Sequence, residues 1–417
     1  MGTNVNHVNF PENRRKAVIA AEGGGSNGGA CGRHPEEALN SEIMTPGEAV
    51  RARAYQMKRL WLGISGSLAE FAVTAIFWFL VPEGWFQAAG GAVFASGLVY
   101  FCALVLAQNM LVFPIDYIAG FRLPHEAGLS NESFRGWLMD RGKSLGLIFL
   151  IGGTAAGAFV QIMAEWPDDW WWISAGSGIV FVIFMAAIAP VLLAPIFFRF
   201  KPVSDSALRE RLEYLLVRMG VRVRGGIWEI DMSRRTSAVN AALVGWGPSR
   251  RVILGDTLLG FRPEEIEAIL AHELAHHAGH HIWLLMAGRS VALAAGLFLA
   301  HRIFMAPEIF ASIGAPPPAP GASSSIGAVW LVLALWGAAL APWQRALSRR
   351  LEFWCDRFAV RHTGGAEAMS SALGNLCKKN LADPSPLAWV VFWFHSHPSI
   401  EERIERARRG SEESRGG

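Results

Sequence analysis

Two histidines and a glutamate in one short segment could bind a metal ion and activate a water molecule. Residues 269–277 read Ile-Leu-Ala-His-Glu-Leu-Ala-His-His. On a helix, His272 and His276 project from one face because they are four residues apart, so they can share one ion. Glu273 is placed to act as a general base on a metal-bound water. The pattern is short enough to arise by chance, and a histidine-rich helix without a metal is the alternative.

The surrounding residues favour a helix. Pro263 suits the first turn, where its missing N–H has no cost. Glu264 and Glu265 complement the positive end of the helix dipole. The apolar residues that follow have helical spacing: Ile266, Ile269, Leu270 and Leu274. The segment is therefore predicted to be a helix with one buried face.

A catalytic zinc site needs three protein ligands and one open position. A third histidine six residues after the second is excluded, because position 282 is Ile. Glu352 is the better candidate, and Asp356 shares its helical face and could accept the free ring N–H of a ligand histidine. The alternative is a solvated acidic face beside the membrane, but the flanking Phe353 and Trp354 argue against it.

The composition indicates a membrane protein. The 417 residues are 52% hydrophobic and only 18% charged, and they include 17 tryptophans. The mean hydropathy is +0.28. A net charge of +3 gives no reason to expect nucleic acid as a partner. The four cysteines have no paired spacing, so neither a disulfide framework nor a cysteine zinc site is expected.

Six apolar segments are long enough to span a bilayer. They lie at 61–82, 91–113, 145–164, 173–198, 283–304 and 326–343. Lys and Arg residues cluster in alternate connections, whereas 83–90, 165–172 and 305–325 contain none. By the positive-inside rule, both termini and the histidine helix are cytoplasmic. The three tryptophans at 170–172 are expected to form an interfacial belt on the opposite side.

These segments divide the chain into five parts. We predict a disordered polar tail (1–50), a four-span region (51–198), a cytoplasmic segment with the histidine helix (199–282), two further spans (283–346) and a C-terminal cytoplasmic part (347–410). Within 199–282, a helix at 208–219 and short strands at 226–230, 237–244 and 251–254 are expected. The edge of such a sheet could bind an extended peptide, or the sheet could only brace the helix.

The motifs resemble those of the integral-membrane CAAX prenyl protease type I family of zinc metalloproteases. His272, Glu273 and His276 match the family's H-E-L-x-H, and Leu-Glu-Phe-Trp-Cys-Asp resembles its E-F-x-x-D at Glu352 and Asp356. The resemblance covers most of residues 50–406. It implies one Zn²⁺ with Glu352 as the third ligand, and Asp356 beside a ligand histidine.

Further stretches match in the family's order. Asn240-Ala241 resembles its N-A strand, which implies a substrate-binding edge, and residues 252–259 resemble V-L-x-D-T-L-L. Ser-His-Pro-Ser at 396–399 with Arg403 resembles its S-H-P-x…R element. The resemblance implies that His397 and Arg403 contact the substrate or the oxyanion. His281 stands at the family's following histidine.

The fold implied is mostly α: a polytopic helical bundle of about six spans, with a cytoplasmic zincin-like domain that contains a small β-sheet. There are departures. Eukaryotic members have seven spans, and here a polar tail stands in place of the first. Cys355 and residues 241–243 differ from the commonest family residues, so the resemblance does not define the substrate pocket. The composition, rich in Ala, Gly and Arg, favours a bacterial inner-membrane protein.

Three functions compete. The first is a metalloendopeptidase that processes CAAX-type substrates, and the second is a quality-control protease of membrane proteins with the same chemistry. Both would act on peptide or protein substrates, lipidated or membrane-embedded, at a lipid bilayer. The third is a non-catalytic membrane scaffold or transporter with a structural metal. Glu273 argues against the third, because a structural site needs no base.

Overall fold

The computed structural model describes residues 43–315 and 317–413. Most of the predicted polar tail, including Cys31, lies outside the described residues. The described part is mostly helical, as expected. One small sheet is inserted after the fourth membrane helix.

Six helices in the described part are long and apolar enough to cross a membrane, which confirms the predicted spans. They are α1 (Pro46–Leu80), α2 (Val93–Glu126), α3 (Phe134–Glu165), α4 (Trp170–Phe197), α7 (His281–Phe304) and α8 (Ser325–His362). Two shorter helices, α5 (Ser206–Arg218) and α6 (Pro263–Ala278), lie between α4 and α7 in the chain. Single π-helical turns interrupt α2, α3 and α4 at Ile118–Arg122, Ile148–Gly152 and Ala189–Leu193. Short helices, Glu83–Gly90 and Pro307–Ser312, lie in connections on the predicted outer side.

Small residues let α2 and α3 pack closely. A Cβ added at Gly157 would lie 2.7 Å from the carbonyl oxygen of Phe94, and one at Gly97 would lie 2.9 Å from the Val160 side chain. Close backbone approach through small residues is the usual way in which membrane helices associate, because lipid gives no hydrophobic drive between them. These glycines therefore fix the pairing of the two helices.

The predicted tryptophan belt is only partly right. Trp172 is 52% exposed, but Trp170 is 2% exposed. Trp170 packs in an apolar cluster with Met163, Leu297 and Ala300. One side of the first helical turn of α4 therefore faces protein, and Trp170 belongs to the core.

The sheet has four strands, one more than predicted. Its strands are β1 (Phe200–Pro202), β2 (Ile227–Ile230), β3 (Ala241–Val244) and β4 (Arg251–Gly255), in the order β1-β2-β4-β3. The β2–β4 pair is parallel, and the β1–β2 and β3–β4 pairs are antiparallel. Among the described strands, β3 is at an edge. At the β3–β4 turn Gly245 has φ +81°, and a Cβ there would lie 2.5 Å from the Ser249 carbonyl oxygen, so glycine is required.

Five further helices lie outside the candidate spans. They are α5 (Ser206–Arg218), α6 (Pro263–Ala278), α9 (Gly365–Lys379), α10 (Ala388–Phe394) and α11 (Ile400–Glu413). The helix α6 begins at Pro263, as predicted, and carries the histidine motif. The helix α8 continues from the sixth span into the predicted C-terminal part without a break.

Glu265 does more than complement the dipole of α6. Its side chain is 1% exposed, although glutamate is rarely buried without partners. One carboxylate oxygen accepts hydrogen bonds from Ser371 Oγ at 2.5 Å and Asn375 Nδ2 at 3.0 Å, both on α9. The other accepts the backbone N–H of Arg262 at 3.0 Å. Glu265 thus fastens the start of α6 to α9.

Candidate metal site

The helices α6 and α8 bring the three predicted ligands together. His272 Nε2 lies 3.2 Å from Glu352 Oε2, and His276 Nε2 lies 3.2 Å from Glu352 Oε1. The three donor atoms all lie within 4.8 Å of one another. Two histidines four residues apart on α6 thus face a carboxylate that enters from α8.

This donor set fits a divalent metal ion. Ligands at about 2.0–2.1 Å from a tetrahedral zinc are separated by about 3.3 Å, close to the observed spacing. Glu352 is 2% exposed, and its Oε2 atom is buried without a hydrogen bond. A buried carboxylate oxygen without a hydrogen bond is costly, and a bound cation would compensate for it. Two imidazoles and one carboxylate also leave a fourth position for water or substrate.

Asp356 orients the first histidine. His272 Nδ1 donates a hydrogen bond to Asp356 Oδ1 at 2.8 Å, which leaves the lone pair of Nε2 facing Glu352. Asp356 in turn accepts two hydrogen bonds from Arg403, from Nε at 2.8 Å and from Nη2 at 2.7 Å. Arg403 is 8% exposed. Its guanidinium is thus engaged with Asp356, and its Nη2 atom also lies 3.4 Å from His272 Nδ1 and 3.8 Å from Glu352 Oε2.

His397 lies at the rim of the same cluster. Its Nε2 is 3.4 Å from Glu352 Oε1, and its side chain is 61% exposed. The loop that carries it follows α10, whose end is held by two arginines of α8. Arg349 donates to the carbonyl oxygens of Val391 at 2.9 Å and His395 at 2.8 Å, and Arg345 donates to that of Trp393. Arg349 and Arg345 stand one and two turns before Glu352 on α8, a spacing visible in the sequence, but nothing in the sequence indicated that they hold the end of α10.

Glu273 is the next residue after His272 on α6. Burial raises the pKa of its carboxyl group above the ordinary value, while the charges of His272 and His276 act in the opposite direction. A carboxylate with a raised pKa is a stronger base than an exposed one. No hydrogen bond or ion pair within the described residues engages this side chain.

The edge strand lies beside the histidines. Asn240 precedes β3, and its carbonyl oxygen accepts the Gly255 N–H at 2.9 Å. Ala241 pairs with Leu254 of β4. A cavity of about 360 Å³ continues from the end of β3 past His276 to the membrane helices α4 and α7. Its walls include Leu243, Val244, Ile183, Trp283 and Met286. The cavity is thus mainly apolar and joins the candidate metal site to the membrane-spanning part.

Zinc affinity should depend on pH through His272. Burial lowers the pKa of its imidazole, but the hydrogen bond to Asp356 and the adjacent Glu352 carboxylate outweigh burial and raise the pKa to about 9. Below that pH the metal must displace a proton, so affinity should rise with pH between 6 and 8, by up to about tenfold per unit from this group. Competition with a chelator of known affinity measures the zinc affinity at each pH. Asp356→Asn should make zinc affinity depend less steeply on pH. The same slope of affinity against pH in Asp356→Asn and the wild type would contradict the prediction.

Comparison with known proteins assigns the family. Residues 202–410 match the profile of peptidase family M48, and residues 32–199 match that of the CAAX prenyl protease N-terminal region, described as five membrane helices. The chain belongs to peptidase family M48. The predicted family is therefore confirmed, and the protein is a membrane metalloprotease. Four of its candidate spans fall within the second match.

Individual relatives support this family assignment. The Bacillus subtilis metalloprotease YhfN is 24% identical over 88% of this chain and 87% of its own length. CAAX prenyl protease 1 of Saccharomyces cerevisiae is 30% identical over 56% of this chain and 54% of its own. The crystal structure of S. mikatae Ste24p matches with a TM-score of 0.78 at 23% identity, covering 89% of this chain and 93% of that one. The last comparison confirms the overall fold.

Proposed function

We propose that the protein is a zinc-dependent endopeptidase that hydrolyses peptide bonds of membrane-associated or CAAX-type substrates. The observation that carries this proposal is the convergence of His272, His276 and Glu352 beside a sheet edge and an apolar cavity. Two imidazoles and a carboxylate are the donor set of catalytic zinc in several peptidases.

Each side chain has a proposed part in hydrolysis. When bound, zinc polarises the scissile carbonyl and lowers the pKa of a water molecule from about 15.7 toward about 7. Glu273 takes the proton of the attacking water and later gives it to the leaving amine. His397, at the exposed rim, donates a hydrogen bond to the developing oxyanion. Arg403 acts through Asp356, because its guanidinium is already engaged there.

The substrate would bind as an added strand. The edge strand β3, with Asn240 and Ala241 at its start, offers backbone N–H and C=O groups beside the histidines. The apolar cavity beyond Val244 would hold a large apolar side chain or a lipid group of the substrate. The same features suit a broader quality-control protease of membrane proteins.

A cleavage assay with purified protein tests this proposal and separates the two substrate classes. A prenylated CAAX peptide, the same peptide without the prenyl group and an unrelated membrane-protein peptide should be compared. Cleavage should stop with a chelator and return with zinc. Preference for the prenylated peptide supports CAAX processing, and equal cleavage of all three supports quality control. No zinc-dependent cleavage of any of them would contradict the proposed function.

The site is proposed to face the cytoplasm, in the inner membrane of a bacterium. The proposed parts 199–282 and 347–410 then lie on the same side, and α8 joins the second of them to its span. The loops 83–90, 165–172 and 305–325, which have no Lys or Arg, would face outward.

Single cysteines in those three loops, in a cysteine-free background, should react with a membrane-impermeant thiol reagent in intact cells. A lone Cys31 should react only after lysis. Strong labelling of Cys31 in intact cells would show that the orientation is the reverse of the one proposed.

A further inference from the structure

His281 lies against the second histidine of the candidate metal site, on the side away from Glu352. Its Nδ1 atom is 3.3 Å from His276 Nδ1. Because His276 Nε2 faces Glu352 and must keep its lone pair for a metal, the proton of His276 belongs on Nδ1. That N–H therefore donates to His281 Nδ1, just as the N–H of His272 donates to Asp356.

The turn between α6 and α7 is shaped to put the ring there. His280 has φ +53°, a left-handed conformation that few residues other than glycine adopt, although histidine is among the more tolerant. This conformation reverses the chain, so that His281 at the start of α7 turns back onto α6. A Cβ added at Gly279 would lie 2.4 Å from His281 Nε2, so the ring needs a glycine at that position.

Neighbours from α8 complete the pocket. The Trp354 ring meets the His281 ring edge to face, with centroids 4.9 Å apart. Cys355 Sγ lies 3.4 Å from the same Nδ1 atom. His281 is 5% exposed. Its ring is therefore fixed from three directions, and its acceptor atom can face only His276 and Cys355.

We infer that His281 is a positioning residue for the metal ligand His276: it fixes the ring orientation and the tautomer of His276. It would serve the second histidine as Asp356 serves the first. Hydrogen-bond partners of this kind typically change metal affinity or activity by about 10–100-fold when they are mutated. The inference rests on the proposed zinc site, and it is tested by metal binding, independently of activity.

The test compares substitutions that keep or remove the acceptor. His281→Leu removes it, whereas the side-chain oxygen of His281→Asn can stand where Nδ1 was. Zinc affinity, measured by competition with a chelator, should fall about 10–100-fold in His281→Leu and clearly less in His281→Asn. Gly279→Ala, which retains His281 but displaces its ring, should also bind zinc more weakly. His362→Gln, on a histidine bonded to the Phe358 carbonyl, is the matched control and should bind zinc as the wild type does.

A spectrum gives a second readout. In the cobalt-substituted protein, the visible bands should shift in His281→Leu and not in His362→Gln, because the orientation of a ligand changes.

Equal affinity in His281→Leu and the wild type would overturn the inference, as would equal losses in His281→Leu and His281→Asn. Two zinc ions per wild-type chain, falling to one in His281→Leu, would overturn it in favour of a second metal site at His276, His281 and Cys355. If His281→Leu does not fold, His281→Asn and Gly279→Ala decide alone: weaker binding in Gly279→Ala than in His281→Asn supports the inference, and wild-type binding in Gly279→Ala overturns it. If the wild type binds no zinc, the proposed function itself is contradicted.

Discussion

Glu273→Gln is expected to abolish most peptide cleavage while the protein still binds about one zinc ion. The substitution replaces a carboxylate by an amide of nearly the same shape, and Gln has about the same helix propensity as Glu. A general base typically contributes about 10²–10⁴-fold to the rate, and the amide cannot take a proton from water. Zinc content and cleavage rate should therefore be measured on the same purified sample.

Glu264→Gln on the same helix is a suitable control. Glu264 lies in the first turn of α6, eight residues before His272, and is paired with Arg211 at 2.9 Å. It should retain wild-type cleavage. If Glu273→Gln cleaves as fast as the wild type, Glu273 is not the base. If it loses zinc as well, a role in metal binding is the better explanation.

Removal of a ligand should have an even larger effect, because both zinc and activity are lost. His272→Ala and Glu352→Gln should each lower the zinc content from about one per chain toward zero and reduce cleavage below detection. Loss of the metal also removes its binding energy from the folded state, so the melting temperature should fall and should no longer respond to added zinc.

Asp356→Asn provides a graded comparison in the same series. It keeps all three ligands but weakens the hydrogen bond that orients His272, so zinc affinity should drop by only about 10–100-fold. At saturating zinc the Asp356→Asn protein should recover its metal, whereas His272→Ala should not. Unchanged zinc content in His272→Ala and in Glu352→Gln would contradict the ligand assignment.

The residues that sequence reasoning placed well are those whose partners are close in the chain or fixed by helix geometry. His272 and His276 share a face because they are four apart, and the same spacing pairs Glu352 with Asp356. The six spans followed from length and apolarity alone, since a bilayer leaves the backbone few alternatives. That α6 and α8 meet was expected from the need for a third ligand, for which Glu352 was the candidate, and from the family resemblance.

What was missed depends on contacts between distant parts of the chain. The strand β1 has three residues, ends in Pro202 and exists only because β2 pairs with it, so its own sequence gives little signal. Glu265 looked like a surface residue of a first turn, because its partners on α9 are more than 100 residues away. Trp170 was assigned to the membrane interface, but the apolar cluster that buries it includes residues of α7 and α8.

The unbroken course of α8 has a mechanical consequence. One helix of 38 residues contains both the sixth span and Glu352, whereas His272 and His276 stand on a helix that is not among the candidate spans. At 1.5 Å per residue, Glu352 lies about 40 Å along the helix from its N-terminal end. A tilt of about 2° about that end would move the carboxylate by roughly 1.4 Å, and displacements of about 1 Å can cost an enzyme about 100-fold in rate. Helices tilt to match the thickness of the bilayer. The activity should therefore vary with lipid chain length in reconstituted membranes, because bilayer thickness would affect the position of Glu352.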